Sequence, residues 1–118
     1  AIAADAQLLH VRAGDLSEAS ALAGMTRAWW TENGQLNALL DRRNLHNDEM
    51  IPDSWSVVGP AATVTAVGRQ AVTDPRVVAK AIAAVPGRWW ASGETWSVQI
   101  DPASADDAQR ALHAALIG

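Results

Sequence analysis

The chain has 118 residues, of which 49 % are hydrophobic and 19 % charged, and its formal net charge is −4. This length fits one domain with its own core, and the weakly acidic charge excludes the basic surface that nucleic-acid binding requires. With no cysteine in the sequence, disulfides, thiolate metal sites and thiol catalysis are excluded as well.

The first third of the chain is predicted to form a strand followed by two helices. Gln7–Arg12 is short and apolar-rich, which indicates a strand, and residues 1–6 before it are interpreted as a disordered or linker end. Asp15 is a typical helix N-cap, and the helical spacing of the apolar residues after it predicts a helix that ends at about Asn33-Gly34. Leucines at helical spacing predict a second helix within residues 36–45.

The pattern changes after Pro52, where alternation and β-branched residues predict strands. Two strands are expected, Ser54–Gly59 and Ala62–Val67, with a turn or bulge at Gly59-Pro60 between them. A third helix is expected to begin at Asp74-Pro75, because proline is well tolerated at the first helical position.

The last part of the chain is predicted to be a β-hairpin followed by a helix. Arg88–Ala91 and Thr95–Ile100 form the two hairpin strands, and Asp101-Pro102 leads into the final helix. The sequence therefore predicts an α+β fold, with a mostly antiparallel sheet of about four to five strands and about four helices packed mainly on one face. Residues 1–118 are interpreted as a single globular domain, and as a fragment of a larger protein.

Two short segments of the chain are near copies of each other. Ser54–Val57 and Thr95–Val98 differ at one position and lie 41 residues apart. The similarity indicates either a duplicated strand–helix unit or chance in a biased composition.

Tryptophan supplies all the aromatic bulk, since the chain has six tryptophans and no phenylalanine or tyrosine. Strand alternation places Trp96 inward, pairs it with one of Trp89 and Trp90, and leaves the other for the surface. Trp29 and Trp30 are expected about 100° apart on the first helix, with one at the rim of its buried face. Most of these rings are expected in the core, and the four paired residues, Trp29, Trp30, Trp89 and Trp90, are the candidates for binding a protein partner or a small ligand such as a carbohydrate.

An acidic segment offers the candidate metal ligands of the sequence, which are His46, Asp48, Glu49 and Asp53. Their spacing does not match a calcium loop, and a fraying helix end followed by a solvated loop explains the same residues. We therefore assign no metal site and expect no cofactor.

The sequence contains none of the common catalytic motifs. Nucleophile elbows, phosphate loops, dinucleotide fingerprints and zinc-protease motifs are all missing from it. The three histidines, His10, His46 and His113, fall in three separate elements. The chain is therefore interpreted as non-catalytic, although a triad assembled by folding would leave no trace in the sequence.

The composition and the paired tryptophans give the chain a family resemblance. Abundant alanine, and arginine in place of lysine, are typical of a GC-rich bacterium such as an actinobacterium. The segments Arg27–Trp30, Pro52–Val57 and Arg88–Ser97 resemble small domains of mycobacterial proteins linked to type VII (ESX) secretion. That resemblance implies a secreted or cell-envelope location; without it, the chain is expected in the cytoplasm.

The resulting prediction is a non-catalytic protein-interaction domain of a larger actinobacterial, secretion-associated protein. Its partner would be another protein or other domains of the same chain, with no nucleic acid and no membrane insertion, because no apolar run reaches the roughly 18 residues of a membrane span. The alternative is a small ligand-binding or hydrolytic enzyme domain that uses the region His46–Asp53. Oligomeric state is not predicted.

Overall fold

Six strands form the sheet of this protein, whose computed structural model describes residues 1–45 and 51–117. The strand order is β2-β3-β1-β4-β6-β5, and the pairs β1–β3, β2–β3, β4–β6 and β5–β6 are antiparallel. The bounds are β1 Ile2–Arg12, β2 Thr26–Glu32, β3 Gln35–Asp41, β4 Ser56–Val67, β5 Arg88–Ser92 and β6 Thr95–Ile100. The predicted α+β class with an antiparallel sheet is confirmed, whereas the predicted number of four to five strands is wrong.

The α-helices lie in the second half of the chain: α1 Gln70–Thr73, α2 Pro75–Ala84 and α3 Ala105–Leu116. Helix α2 begins as the sequence predicted, because the carboxylate of Asp74 accepts a hydrogen bond from Arg76 N at 2.9 Å and Pro75 occupies the first helical position. Short 3₁₀ helices span Leu16–Leu22, Arg42–Asn44 and Pro102–Ser104.

The two helices predicted for residues 15–33 and 36–45 are wrong. Only the 3₁₀ helix Leu16–Leu22 follows Asp15, and residues 26–41 form the hairpin β2–β3. Its two-residue loop is Asn33-Gly34, with φ of 53° and 77°. Positive φ at both central residues is what a tight hairpin turn requires, and Asn-Gly meets that requirement at low cost, so the segment closes a hairpin instead of ending a helix.

Strands β1 and β4 are both longer than the sequence indicated. Strand β1 begins at Ile2, so residues 2–6, expected as a disordered or linker end, belong to a strand. Strand β4 runs without interruption through Gly59-Pro60, where a turn or bulge was predicted. Gly59 adopts a φ of 152°, which side chains rarely allow, so glycine keeps the chain extended before the proline.

The chain divides into two compact units, each with its own hydrophobic core. Unit A is Gln7–Ala61, and unit B is Ala1–Ala6 together with Ala62–Gly118. The core of unit A contains Leu9, Val11, Ala13, Leu22, Met25, Ala38, Leu40, Ile51 and Trp55. The core of unit B contains Val64, Ala66, Ala71, Ala81, Val85, Val98, Ala108 and Leu112.

Both units share the order strand, helix, hairpin, and their hairpins have matching registers. In unit A, Trp29 pairs with Ala38 and Ala38 with Val11. In unit B, Trp89 pairs with Val98 and Val98 with Val64.

The near copies Ser54–Val57 and Thr95–Val98 do not correspond in this repeat, because only the second lies in a hairpin. The fold therefore repeats other segments than these near copies. In that repeat, Trp29-Trp30 of β2 correspond to Trp89-Trp90 of β5.

Candidate functional site

A row of polar side chains is buried on one face of the sheet in unit A. Asn37 on β3 is only 2 % exposed and His10 on β1 is 8 % exposed. Asn37 Oδ1 lies 2.9 Å from His10 Nε2 and accepts a hydrogen bond from Arg12 Nε at 3.4 Å. The ring of Trp30 on β2 packs against the His10 ring with centroids 5.0 Å apart. Alternation on three adjacent strands brings these side chains together.

A pocket of about 200 Å³ opens beside this row and is lined only by polar residues: Arg12, Glu32, Asn33, Gln35 and Asn37. Its walls are fixed by further hydrogen bonds, because Asn37 Nδ2 donates to Gln35 O at 3.2 Å and Gln35 Nε2 donates to Ala13 O at 3.3 Å. We refer to these five lining residues as the charged pocket. It joins one cationic and one anionic side chain at the turn of the first hairpin.

Asp41 carries the second charged cluster of unit A. Its buried carboxylate accepts a hydrogen bond from Arg43 Nε at 2.8 Å and is also bound by Arg27 Nη2. The hydrogen bonds from Arg43 and then from Arg27 hold the pKa of Asp41 well below its usual range. Because both arginines bind the Asp41 carboxylate, we interpret the cluster as a structural ion-pair network at the end of β3.

Unit B contains two larger cavities. One, of about 390 Å³, lies at the turn from β4 to α1; its walls include Gly68, Arg69, Gln70, Val77 and Leu116. We refer to it as the turn cavity. The other, of about 440 Å³, lies between the end of α2, β6 and α3. Both fall in the size range of small-molecule sites, which is about 300–1,000 Å³.

In the second hairpin, Trp89 and Trp96 share one face of the sheet, and Trp90 lies on the other. Trp89 stacks on Trp96 with ring centroids 5.2 Å apart, and both pack against the core of unit B. Trp89 Nε1 also donates to Val85 O at 2.9 Å. Trp90 is partly buried on the other face, opposite Ser97. Of the two tryptophans that strand alternation allowed as the partner of Trp96, the structure therefore selects Trp89.

The tryptophans of the first hairpin are on a strand and not on the predicted helix. Trp29 is 42 % exposed and contacts Trp55 edge-on, with centroids 6.2 Å apart. Trp30 is partly buried against His10. A partner-binding role for Trp29, Trp30, Trp89 and Trp90 stays a prediction.

The candidate metal ligands His46, Asp48 and Glu49 lie outside the described residues. Asp53 is described and is exposed in the segment that precedes β4. Across residues 1–45 and 51–117, no group of three or more metal-ligating side chains occurs. Within the same ranges, no helix is long and apolar enough to cross a membrane.

Sequence reasoning missed the charged pocket because its residues come from three strands, two of which were read as helices. One signal was present, since Asn37 interrupts an otherwise apolar run. On a helix Asn37 would have been a solvated position, whereas on a central strand it has to be buried and hydrogen-bonded.

Comparison with known proteins finds the fold but no close relative. No protein-family model matches the chain, and none of the curated proteins matches it in sequence. The solved structure of Clostridium acetobutylicum aspartate kinase matches with a TM-score of 0.80 and 15 % identity, covering 98 % of this chain and 34 % of the kinase. Aspartokinase III of E. coli, in complex with lysine and aspartate, matches with a TM-score of 0.75 and 16 % identity, covering 100 % of this chain and 33 % of the kinase.

A third match has nearly the same length as this chain. The ligand-free regulatory subunit of aspartate kinase from Thermus thermophilus matches with a TM-score of 0.73 and 21 % identity, covering 97 % of this chain and 95 % of the subunit. The chain thus spans about a third of the two kinases and nearly all of the separate subunit.

These matches overturn the family resemblance. The assignment to type VII secretion, and with it the secretion-associated interaction domain and its actinobacterial setting, is wrong, because the matching structures are aspartate kinases and a regulatory subunit of aspartate kinase. The resemblance rested on how often alanine, arginine and tryptophan occur, and amino-acid composition does not determine the topology of a fold. By fold, this chain is similar to a regulatory subunit of aspartate kinase.

Proposed function

We propose that this chain is a regulatory domain that binds a small amino acid and transmits its presence to a catalytic domain or subunit. The observation that carries the proposal is the likeness of the whole chain to a separate regulatory subunit, which extends over 97 % of this chain. The E. coli structure is described as a complex with lysine and aspartate, which supports an amino acid as the ligand class. Allosteric regulation of this kind needs a ligand whose affinity differs between two states of the protein.

The turn cavity of unit B is the proposed ligand site. Its walls combine the aliphatic side chains of Val77 and Leu116 with the polar side chains of Arg69 and Gln70. The aliphatic wall suits the side-chain carbons of an amino acid, and the guanidinium of Arg69 suits its carboxylate, with which it can form two parallel hydrogen bonds. Gly68 lets the chain leave β4 with a φ of 138°, which places this turn at the mouth of the cavity.

Titration of the chain with each of the twenty amino acids tests the proposal, by calorimetry and by thermal shift. At a concentration one hundred times its Kd, a ligand stabilises the folded state by about 2.7 kcal/mol. For 118 residues that corresponds to a rise in Tm of about 11 °C, at about 0.25 kcal/mol per degree. We expect one or a few amino acids to bind.

The variant Arg69→Gln should weaken that binding at least tenfold, because it removes the cation of the turn cavity. Arg110→Gln is the matched control, because Arg110 on α3 is also an exposed arginine and does not line the cavity. If none of the twenty amino acids binds at millimolar concentration, the proposed function is wrong. If an amino acid binds with the same affinity to the Arg69→Gln variant, the proposed function is supported but the turn cavity is not the ligand site.

A further inference from the structure

We infer that unit A contains a counterpart of the turn cavity and that the side chains of unit A keep this counterpart closed. Trp55 fills its space, and Leu16 and Asp15 remove the positive charge that would attract a carboxylate, so one chain takes one ligand and not two. The inference rests on the proposed function for the ligand of unit B, and it adds the residues that restrict binding to that unit.

The internal repeat identifies the matching residues of the two units. Val11 of β1 and Val64 of β4 hold the same register position, each next to the central strand of its hairpin. Each strand is followed by a turn, and the residues four and five positions further along match as the pairs Asp15 with Gly68 and Leu16 with Arg69.

The segments that precede β1 and β4 give a second match. In unit B, Val67 N donates a hydrogen bond to Ala1 O at 2.8 Å. In unit A, the residue that matches Val67 is Gly14, and a Cβ at Gly14 would lie 1.9 Å from Ser54 O. Glycine lets the two backbones approach this closely, and Ser54 therefore takes the position of Ala1.

Trp55 takes the position of Ile2, which lines the turn cavity of unit B. Trp55 is buried in the core of unit A, and its Nε1 donates to Asp15 O at 3.0 Å. The ring therefore reaches from the segment before β4 to the turn after β1. In unit B the same two positions, Ile2 and Gly68, are walls of an open cavity. The larger side chain of tryptophan thus fills in unit A the space that unit B leaves open.

Further hydrogen bonds hold the turn of unit A against the segment before β4. Asp15 N donates to Ser54 Oγ at 2.9 Å, and Ser54 Oγ donates to Glu18 Oε1 at 2.8 Å. With the bond from Trp55 Nε1, both backbone polar groups of Asp15 have partners within unit A. A ligand that entered this turn would have to displace these partners.

The charge of the turn also differs between the units. Arg69, the cation proposed to bind a carboxylate in unit B, is matched by the exposed side chain of Leu16. Gly68 is matched by Asp15, whose carboxylate accepts hydrogen bonds from Ser17 Oγ at 2.7 Å and Ser17 N at 2.9 Å. These two bonds lower the pKa of Asp15, so the turn of unit A carries a negative charge at pH 7. A ligand carboxylate is attracted in unit B and repelled in unit A.

Indole binding to the Trp55→Ala variant of the full chain tests the closure without an amino-acid ligand. We expect indole to raise the Tm of the variant and to shift the backbone amide NMR signals of Asp15 and Leu16, and to leave those signals unchanged in the unmodified chain. Trp29→Ala is the matched control, because Trp29 is exposed and its removal leaves no enclosed space. Absence of indole binding to the folded Trp55→Ala variant, or binding without a shift at Asp15, would overturn the inference.

Calorimetry with leucine tests the number of sites and separates this inference from the proposed function. We expect one leucine per unmodified chain and two per chain in the triple variant Asp15→Gly, Leu16→Arg, Trp55→Ile, which gives unit A the matching residues of unit B. Two leucines per unmodified chain would overturn the inference. Failure of leucine to bind either chain would count against the proposed function alone, because the indole experiment decides the closure.

Ser54→Ala is a milder test, since Ser54 is exposed and its replacement should not prevent folding. It removes the acceptor of Asp15 N, so hydrogen exchange of that amide should become about fivefold faster. An unchanged exchange rate would mean that Ser54 does not hold the turn and would contradict the closure. If circular dichroism shows that Trp55→Ala does not fold, this exchange rate decides the inference.

Discussion

Trp89 should contribute more to stability than Trp29, although the two occupy matching positions in their hairpins. Trp89 stacks on Trp96 and donates a hydrogen bond to Val85 O, whereas Trp29 is 42 % exposed and meets Trp55 edge-on. Replacing a buried tryptophan by alanine costs about 3–5 kcal/mol. We therefore expect about 3 kcal/mol for Trp89→Ala, because its ring is partly buried, and about 1.5 kcal/mol for Trp29→Ala.

Urea unfolding followed by far-UV circular dichroism measures both losses of stability. Circular dichroism is preferred to tryptophan fluorescence, because each alanine variant removes one of the fluorophores. At about 0.25 kcal/mol per degree for 118 residues, the expected losses in Tm are about 12 °C and 6 °C. Trp89→Phe is the control: it keeps a stacked ring and loses the N–H, so about 1 kcal/mol is expected. Equal losses for the two alanine variants would refute the reasoning from burial and contacts.

Two further predictions concern single residues of unit A. The pKa of Asp41 is lowered by Arg43 and Arg27, so the stability gained from its ionised form is present above the unfolded pKa of about 3.9 and is lost as pH falls below it. Asp41→Asn should therefore be less stable than the unmodified chain at pH 7, and the gap in Tm should shrink between pH 4 and pH 2; a gap independent of pH would contradict this. Gly34→Ala should cost about 1–2 kcal/mol in urea unfolding, because its φ of 77° is unfavourable for a residue with a Cβ. A Cβ added at Gly34 would have no neighbouring atom within 4 Å, so no steric clash is expected. A loss of stability well above about 2 kcal/mol would therefore contradict backbone strain as the sole cause.

The second half of the fold follows from the sequence because local signals and tertiary structure agree there. Asp74-Pro75 caps α2, and the alternation in Thr95–Ile100 corresponds to a strand with Val98 in the core. Each signal involves only neighbouring residues, so no knowledge of distant contacts was needed.

The hairpin of the first half was mispredicted partly because its second strand lacks the residues typical of strands. Strand β3, Gln35–Asp41, contains leucine, alanine and asparagine but no β-branched residue. Its extended form depends on pairing with β1 and β2, which overrides the helical propensity of leucine and alanine. Asn33-Gly34 carried the correct signal, but it was read as the end of a helix.

The candidate sites were harder to predict than the fold. Arg12, Glu32 and Asn37 are up to 25 residues apart in sequence, and only the registers of β1, β2 and β3 bring them to one pocket. Burial of Asn37 could be inferred only after residues 35–41 were known to form a central strand. The turn cavity likewise combines α1 with distant parts of unit B, including Leu116.

The division into units sets the order in which the chain can fold during synthesis. Unit A is one continuous segment, whereas unit B needs Ala1–Ala6 and Ala62–Gly118. At about 5–20 residues per second, the ribosome takes about 3–11 s to make the second of those segments after unit A is complete. During that time Ala1 and the first residues of β1 lack the partners they later find, such as Val67 N, which donates to Ala1 O, and Gln109 Nε2, which donates to Ile2 O. The first six residues are therefore where a chaperone, or the same segment of a neighbouring nascent chain, competes most directly with correct folding.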